Sequence, residues 1–227
     1  MFLSEQNKIK TKLLCGAMFV VIALVLLGVF WFDKPVFLFF RQFDCSLWRY
    51  IEFIFDAKIW LGVFAVLSVW VYVRKTLQNR NKPNVQVRWF RLRSIVKDFF
   101  SKVQNNYSFL VLASVFCASL VALILKVCIG RFRPIFFEIF DVVGFKPFVY
   151  EWAFNSMPSG HTVASFAGLV MLGMLLGRKI KFFTWTLAIV IGLSRIAIGA
   201  HWPTDVLLGA FIGMVCADFV LVYVRKK

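Results

Sequence analysis

Residues 108–130, SFLVLASVFCASLVALILKVCIG, carry no charged side chain until Lys126. A helix that crosses a bilayer needs about 20 mostly apolar residues, and this stretch supplies them without a break. Outward from it, further segments at 13–32, 57–73, 161–177, 182–199 and 204–224 pass the same test. Composition agrees: of 227 residues 61% are hydrophobic, with 28 Phe and 8 Trp. A soluble domain is roughly 45–50% apolar, and a disordered chain carries few aromatics. Both are excluded, and lipid is the solvent. The predicted fold class is all-α, an integral membrane bundle of six transmembrane helices forming a single domain over residues 1–227, with interfacial helical segments in the outer loops.

Lys8, Lys10 and Lys12 precede the first segment as they would in a signal peptide. Its apolar stretch is too long for one, and no small-x-small cleavage site follows before Asp33-Lys34-Pro35, so a retained first span is expected. The net charge of +16 by itself suggests nucleic acid. Here, however, the basic residues flank the apolar runs, as in membrane proteins. The terminal and even-numbered connections hold 18 basic residues against only Glu5 and Asp98, whereas the opposite face holds 9 basic and 8 acidic residues. The positive-inside rule then puts both termini in the cytoplasm and the odd-numbered loops outside. The basic loop 74–107 is expected to be a cytoplasmic topology and anionic-lipid anchor, with no nucleic acid as partner. Outside, Phe40, Phe43, Leu47, Ile51 and Ile54 recur at helical spacing, which fits either a helix lying in the interface or an ordinary packed loop. The aromatic stretch 131–160 is expected to rest on the membrane surface. Only Cys45 of the 5 cysteines lies in an outer loop, which argues against a disulfide framework.

Ionisable residues at or within spans are functional candidates by default. Lys126, Arg131, Arg133, His161, Arg195, His201 and Asp205 all gather at the outer ends of spans three to six, and His161 and His201 are the only 2 histidines. Lys126 and Arg133, seven apart, share one face if the helix persists to Pro134. Pro158-Ser159-Gly160-His161 places a cap before an apolar run, where the Ser159 hydroxyl, the Gly160 and His161 amides and the helix dipole suit phosphate-like oxygens. His201-Trp202-Pro203-Thr204-Asp205 opens the last span. The Asp205 carboxylate, one turn on, can accept the His201 ring N–H and leave the other nitrogen free as a nucleophile. Each fragment has a bland reading as a cap, a snorkelling cation or a structural pair. Their conjunction on one side of the membrane favours an anion-handling site.

Lys126 with six residues before Arg133-Pro134, then Pro158-Ser159-Gly160-His161, then Ser194-Arg195 with five residues before His201 and three before Asp205, resembles the three-part signature of the type 2 phosphatidic acid phosphatase superfamily. The motif window 126–205 covers about a third of the chain. The resemblance implies His201 as the nucleophile that forms a phosphohistidine, Asp205 as its orienting charge and His161 as the general acid and then base. It implies Lys126, Arg133, Ser159, the Gly160 amide and Arg195 as ligands of the phosphoryl oxygens. Arg131 matches no family role and is expected to touch headgroups or the loop.

The resulting expectation is a lipid phosphate phosphatase with no cofactor and no metal, multi-pass in a plasma membrane of bacterial inner-membrane type, its site facing the periplasm or exterior. No residue selects on physical grounds among lipid A, phosphatidylglycerophosphate, phosphatidic acid and undecaprenyl pyrophosphate. The aromatic segment from Phe132 to Phe154 tips the choice to lipid A or a related inner-membrane phospholipid. A lipid phosphotransferase through the same intermediate is the alternative. An anion transporter would place its ionisable groups near the bilayer midplane. A zinc hydrolase using His161, His201 and Asp205 would set its metal among repelling cations. Oligomeric state has no signature in the sequence.

Overall fold

A computed structural model describes Phe2, residues 9–80 and residues 106–224. Helix α1, Thr11–Leu27, runs through a π turn at Gly28–Phe32 into α2, Asp33–Arg41. Helices α3, Ser46–Ile54, and α4, Ala57–Arg80, follow. After the basic segment come α5, Tyr107–Ile129, and α6, Pro134–Phe140. The bundle is completed by α7, Gly160–Leu176, α8, Arg178–Ala197, and α9, Pro203–Tyr223. This is a multi-pass, all-helical membrane protein. Among the described residues, five stretches are long and apolar enough to cross a bilayer. The sixth expected span is α7, whose 17 residues sit at the lower limit for crossing.

Each expected span lies within a few residues of an observed helix. The start of α5 shows why: the Asn106 side chain accepts the Ser108 N–H at 3.0 Å and so caps the helix. The end of α5 falls one residue before the expected bound. The helix stops at Ile129 because Gly130 turns left-handed at φ 62°, so Lys126 and Arg133 are not on one helical face. A Cβ at position 130 would also run into the Lys146 backbone carbonyl, so glycine is required there on two counts.

The outer segment around residues 40–54 is helical, but in two pieces. Phe40 packs with Phe37 and Trp202, Ile51 packs against the main core, and Leu47 and Phe53 remain exposed. The Trp48 indole donates to the Phe43 carbonyl at 2.7 Å and Arg41 pairs with Asp44 at 2.6 Å, fastening the turn between α2 and α3. In the 131–160 segment, Phe132, Phe136 and Phe154 stack on one another around α6 and a 3₁₀ turn at Trp152–Phe154. The basic loop 74–107 begins as the last turns of α4. Residues 81–105, which carry the rest of that expected anchor, lie outside the described residues.

Helix α7 is the hub, packed on α5, α8 and α9 and buried along most of its length. Apolar surface gives helices no net reason to associate in lipid, so small residues that admit close backbone contact carry the packing. Gly209 and Gly213, four apart on α9, face α7 at Ser159 and Val163. By contrast α1 exposes Phe19 and the π turn after it exposes Phe30 and Trp31, the pattern of a lipid-facing segment.

A Cβ on Gly213 would stand 2.6 Å from the Val163 carbonyl and 2.8 Å from the Ala167 amide nitrogen. Backbone cannot yield as a side chain does, so Gly213→Ala should destabilise the bundle by about 1–3 kcal/mol. Thermal unfolding in detergent measures this, with Gly16→Ala, which meets nothing within 4 Å, as the control expected to stay at or above the parent midpoint.

Candidate active site

The turn Ile198–Trp202 between α8 and α9 is closed by the Arg195 carbonyl, which accepts the Ala200 and His201 N–H groups at 3.1 and 3.2 Å. Pro203 then opens α9 at its first position, where a missing N–H costs nothing. Asp205 sits at the third position and accepts the Trp202 N–H at 2.9 Å, so the catalytic-motif carboxylate also caps its own helix. The ring of His201 is 2% exposed, and its Nδ1 stands 3.6 Å from Asp205 Oδ2, beyond hydrogen-bond length. The carboxylate's hydrogen bonds go elsewhere. Besides Trp202 it takes the Ser156 hydroxyl at 2.5 Å on Oδ2 and an Arg131 Nη1–H at 2.7 Å on Oδ1. Burial above all, with the charges of Arg133, Lys126 and Arg195 added, holds the His201 pKa well below its usual value against the pull of Asp205. The imidazole is therefore neutral at neutral pH.

A cavity of about 510 Å³ opens beside this ring. Lys126, Arg133, Gly160, His161, Arg195 and His201 all line it. The break after Ile129 thus does not separate Lys126 from Arg133; the two converge on one cavity from different elements. Lys126 Nζ donates to the Asn155 carbonyl at 2.7 Å. Arg133 donates to the carbonyls of Trp152 at 2.9 Å and Ala200 at 3.0 Å while lying over the Trp152 ring. Burial lowers the Arg133 pKa to about 10, which leaves it charged at neutral pH. Both cations hold neutral carbonyls, so their charge is not cancelled. Arg195 differs: its Nη1 lies 2.8 Å from Glu52 Oε1 of α3. Its Nε, buried, makes no hydrogen bond among the described residues, the state of a donor that awaits a ligand.

Ser159 holds the N-cap position of α7, but its hydroxyl makes no cap bond and instead accepts from Thr162 Oγ1 at 3.0 Å. It is fully buried behind the cavity wall, while the first-turn residues Gly160 and His161 reach the cavity. His161 Nε2 lies 3.4 Å from Asp56 Oδ2 at the start of α4. Among the described residues, no group of three His, Cys, Asp or Glu side chains forms a candidate metal site.

Arg131 overturns its expected place at the headgroups. It is 5% exposed and bridges two buried carboxylates, Asp205 and Asp33, the latter at 2.5 Å. The reason lies in the turn after Gly130, which aims residue 131 inward, where two carboxylates compensate its buried guanidinium.

The PAP2 superfamily model matches residues 107–227. The chain belongs to the PAP2 superfamily. It is 36% identical to the lipid A 1-phosphatase of Rhizobium etli over 58% of this chain and 58% of that protein. With the probable lipid phosphate phosphatase 4 of Arabidopsis thaliana it shares 36% identity over 42% of this chain and 40% of that one. The chain thus spans about half the length of the curated relatives it matches. Its fold is similar to the crystal structure of Aquifex aeolicus LpxE, with a TM-score of 0.51 at 18% identity over 84% of this chain and 95% of that one.

Every PAP2 motif residue falls in the matched region, but three carboxylates that pair with residues of that region do not. Asp33, Glu52 and Asp56 come from α2, α3 and the α3–α4 turn, and pair with Arg131, Arg195 and His161. The sequence did hold a signal for Asp33, an acid at the end of a span, where an ionisable group is functional by default.

Ser156 supplies one of three donors to the Asp205 carboxylate. Its loss leaves a buried charge short of a hydrogen bond. Ser156→Ala is accordingly expected to lower stability by about 1.5–3 kcal/mol, read from the unfolding midpoint in detergent.

Proposed function

We propose that this PAP2 protein is a lipid phosphate phosphatase that cleaves a phosphomonoester through a phosphohistidine. The observation that carries the reading is a buried His201 at the wall of a cavity that Lys126, Arg133 and Arg195 also line. With Nδ1 turned to Asp205, Nε2 is the nitrogen left to attack. It forms the N–P bond as the P–O bond to the lipid breaks, and His161 gives the leaving oxygen its proton. Water, deprotonated by the same His161, then attacks phosphorus, the N–P bond breaks and inorganic phosphate leaves. Phosphoryl transfer needs mainly positioning and charge stabilisation at the non-bridging oxygens. Lys126, Arg133, Arg195 and the uncapped first turn at Gly160 supply that charge, while Ser159 holds the turn from behind. The protein's cations take the place a metal ion would fill.

A cavity of about 510 Å³ is several times the size of a phosphoryl group and leaves room for a headgroup. The lipid A 1-phosphatase relative supports lipid A or a similar inner-membrane phospholipid as substrate, with undecaprenyl pyrophosphate next. Charge along the chain supports cytoplasmic termini and a site facing the periplasm or exterior, with residues 1–227 acting as one domain.

Purified protein offered these lipids one at a time should release phosphate from a lipid A phosphomonoester fastest, and undiminished in excess EDTA; loss in EDTA that zinc or magnesium restores would reject the cation account. Replacement of His201 by Ala should abolish both turnover and labelling from a phosphate-labelled substrate. His161→Ala should still become labelled from p-nitrophenyl phosphate, whose leaving group needs little acid help, and then hydrolyse slowly. The opposite pattern would exchange the two roles. For orientation, a cysteine at Tyr150 should react with an impermeant thiol reagent in intact cells lacking the native thiols, and one at Lys179 only after permeabilisation.

A further inference from the structure

Of the three carboxylates that meet the matched region from outside it, Glu52 lines the catalytic cavity and Asp56 faces His161. Asp33 does neither. It is 2% exposed at the first position of α2, and all of its bonds run to the structure behind the site. Its Oδ2 accepts from Arg131 Nη2 at 2.5 Å and from the Thr204 hydroxyl at 2.6 Å, and its Oδ1 accepts the Thr204 N–H at 3.0 Å. Arg131 Nη1 donates onward to Thr204 Oγ1 at 2.6 Å and to Asp205 Oδ1 at 2.7 Å. Asp33 and Arg131 border a separate cavity of about 500 Å³ and are absent from the wall of the catalytic one.

We propose that Asp33 is a positioning residue for phosphoryl transfer, acting through Arg131 on Asp205 and thence on His201. The inference rests on His201 being the nucleophile. Arg131 carries one positive charge and is shared between two carboxylates, so the trio keeps one net negative charge behind the imidazole. That charge holds the ring's orientation and offsets the positive charge it gains when Nε2 bonds to phosphorus. Without Asp33, Arg131 and Asp205 neutralise each other and the ring loses its counter-charge at the moment it is needed. The first third of the chain thereby contributes to the chemistry as well as to anchoring.

The test is Asp33→Asn in the full chain, which keeps the side chain's shape and the acceptor for the Thr204 N–H while removing the charge. With p-nitrophenyl phosphate as substrate, kcat should fall about tenfold, well short of the ~10⁴ lost when a triad's own aspartate is changed to asparagine. KM and inhibition by vanadate should stay within about twofold, because nothing touching the phosphoryl group has changed. A folded variant with the parent's kcat overturns the proposal. So does a variant whose kcat, KM and vanadate affinity all worsen together, which is the mark of general disruption. Should Asp33→Asn fail to fold, Arg131→Lys, a cation too short to span both carboxylates, is read by the same criteria. A parent protein inactive on every phosphate ester would instead remove the nucleophile reading itself.

Discussion

The guanidinium of Arg131 is taken out of water, and it is met by opposite charge from two directions. Desolvating an ion costs several kcal/mol even after relaxation, and removing one partner of a buried pair typically costs about 3–5 kcal/mol. The bridge from Asp33 through Arg131 to Asp205 therefore fixes where α2, the turn after α5 and the start of α9 stand relative to one another. Its consequences spread through Asp205. By accepting the Trp202 N–H the carboxylate sets the first turn of α9, and with it the turn that carries His201. Its main-chain carbonyl also accepts the Ser159 N–H at 3.0 Å, which ties the start of α7 to the same point. Trp202 completes the joint, its indole donating to the Phe132 carbonyl and its ring lying against Phe37.

The cations around the cavity are held by two different means, and the difference bears on their chemistry. Carbonyl oxygens orient Lys126 and Arg133 without cancelling their charge. Arg195 is balanced by Glu52 and Arg41 by Glu138 and Asp44. A site made only of unbalanced cations would carry mutual repulsion in the absence of substrate, and one made only of ion pairs would hold an anion weakly. The mixture keeps a positive field at the reacting phosphorus while tying the rim to α2, α3 and α6.

What could be read from the sequence divides along physical lines. Spans follow from length and hydropathy, which are local, and each expected span lies within a few residues of a helix. The grouping of Lys126, Arg133, His161, Arg195 and His201 on one cavity was readable because each sits at a span end on the same side. Lys126 and Arg133 do not share a helical face, because a left-handed glycine at 130 ends α5 before the register reaches residue 133. Arg131 was misplaced because its partner Asp33 lies 98 positions away, and nothing local reveals a contact of that range. Glu52 and Asp56 are likewise distant in sequence from Arg195 and His161, the residues they meet. Ser159 stood where a cap was expected, yet the direction of its hydroxyl depends on Thr162 and could be known only from packing.

Carboxylates in a site built for an anion look contradictory until the charges are set against the ligand. The cavity wall holds Arg41, Arg49, Lys126, Arg133 and Arg195 together with Glu52 and Glu138, so cations exceed carboxylates by three. A phosphomonoester brings a charge near −1.5 to −2 at neutral pH, and the bound state therefore lies close to balance. On the proposed phosphatase reading, the surplus without the two glutamates would be five, which would strengthen the hold on inorganic phosphate and slow its release. Both acids come from outside the core motifs, Glu52 from α3 and Glu138 from α6. On this account the motif residues provide the affinity for the transferring group, and the surrounding helices lower that affinity to a level from which the product can leave.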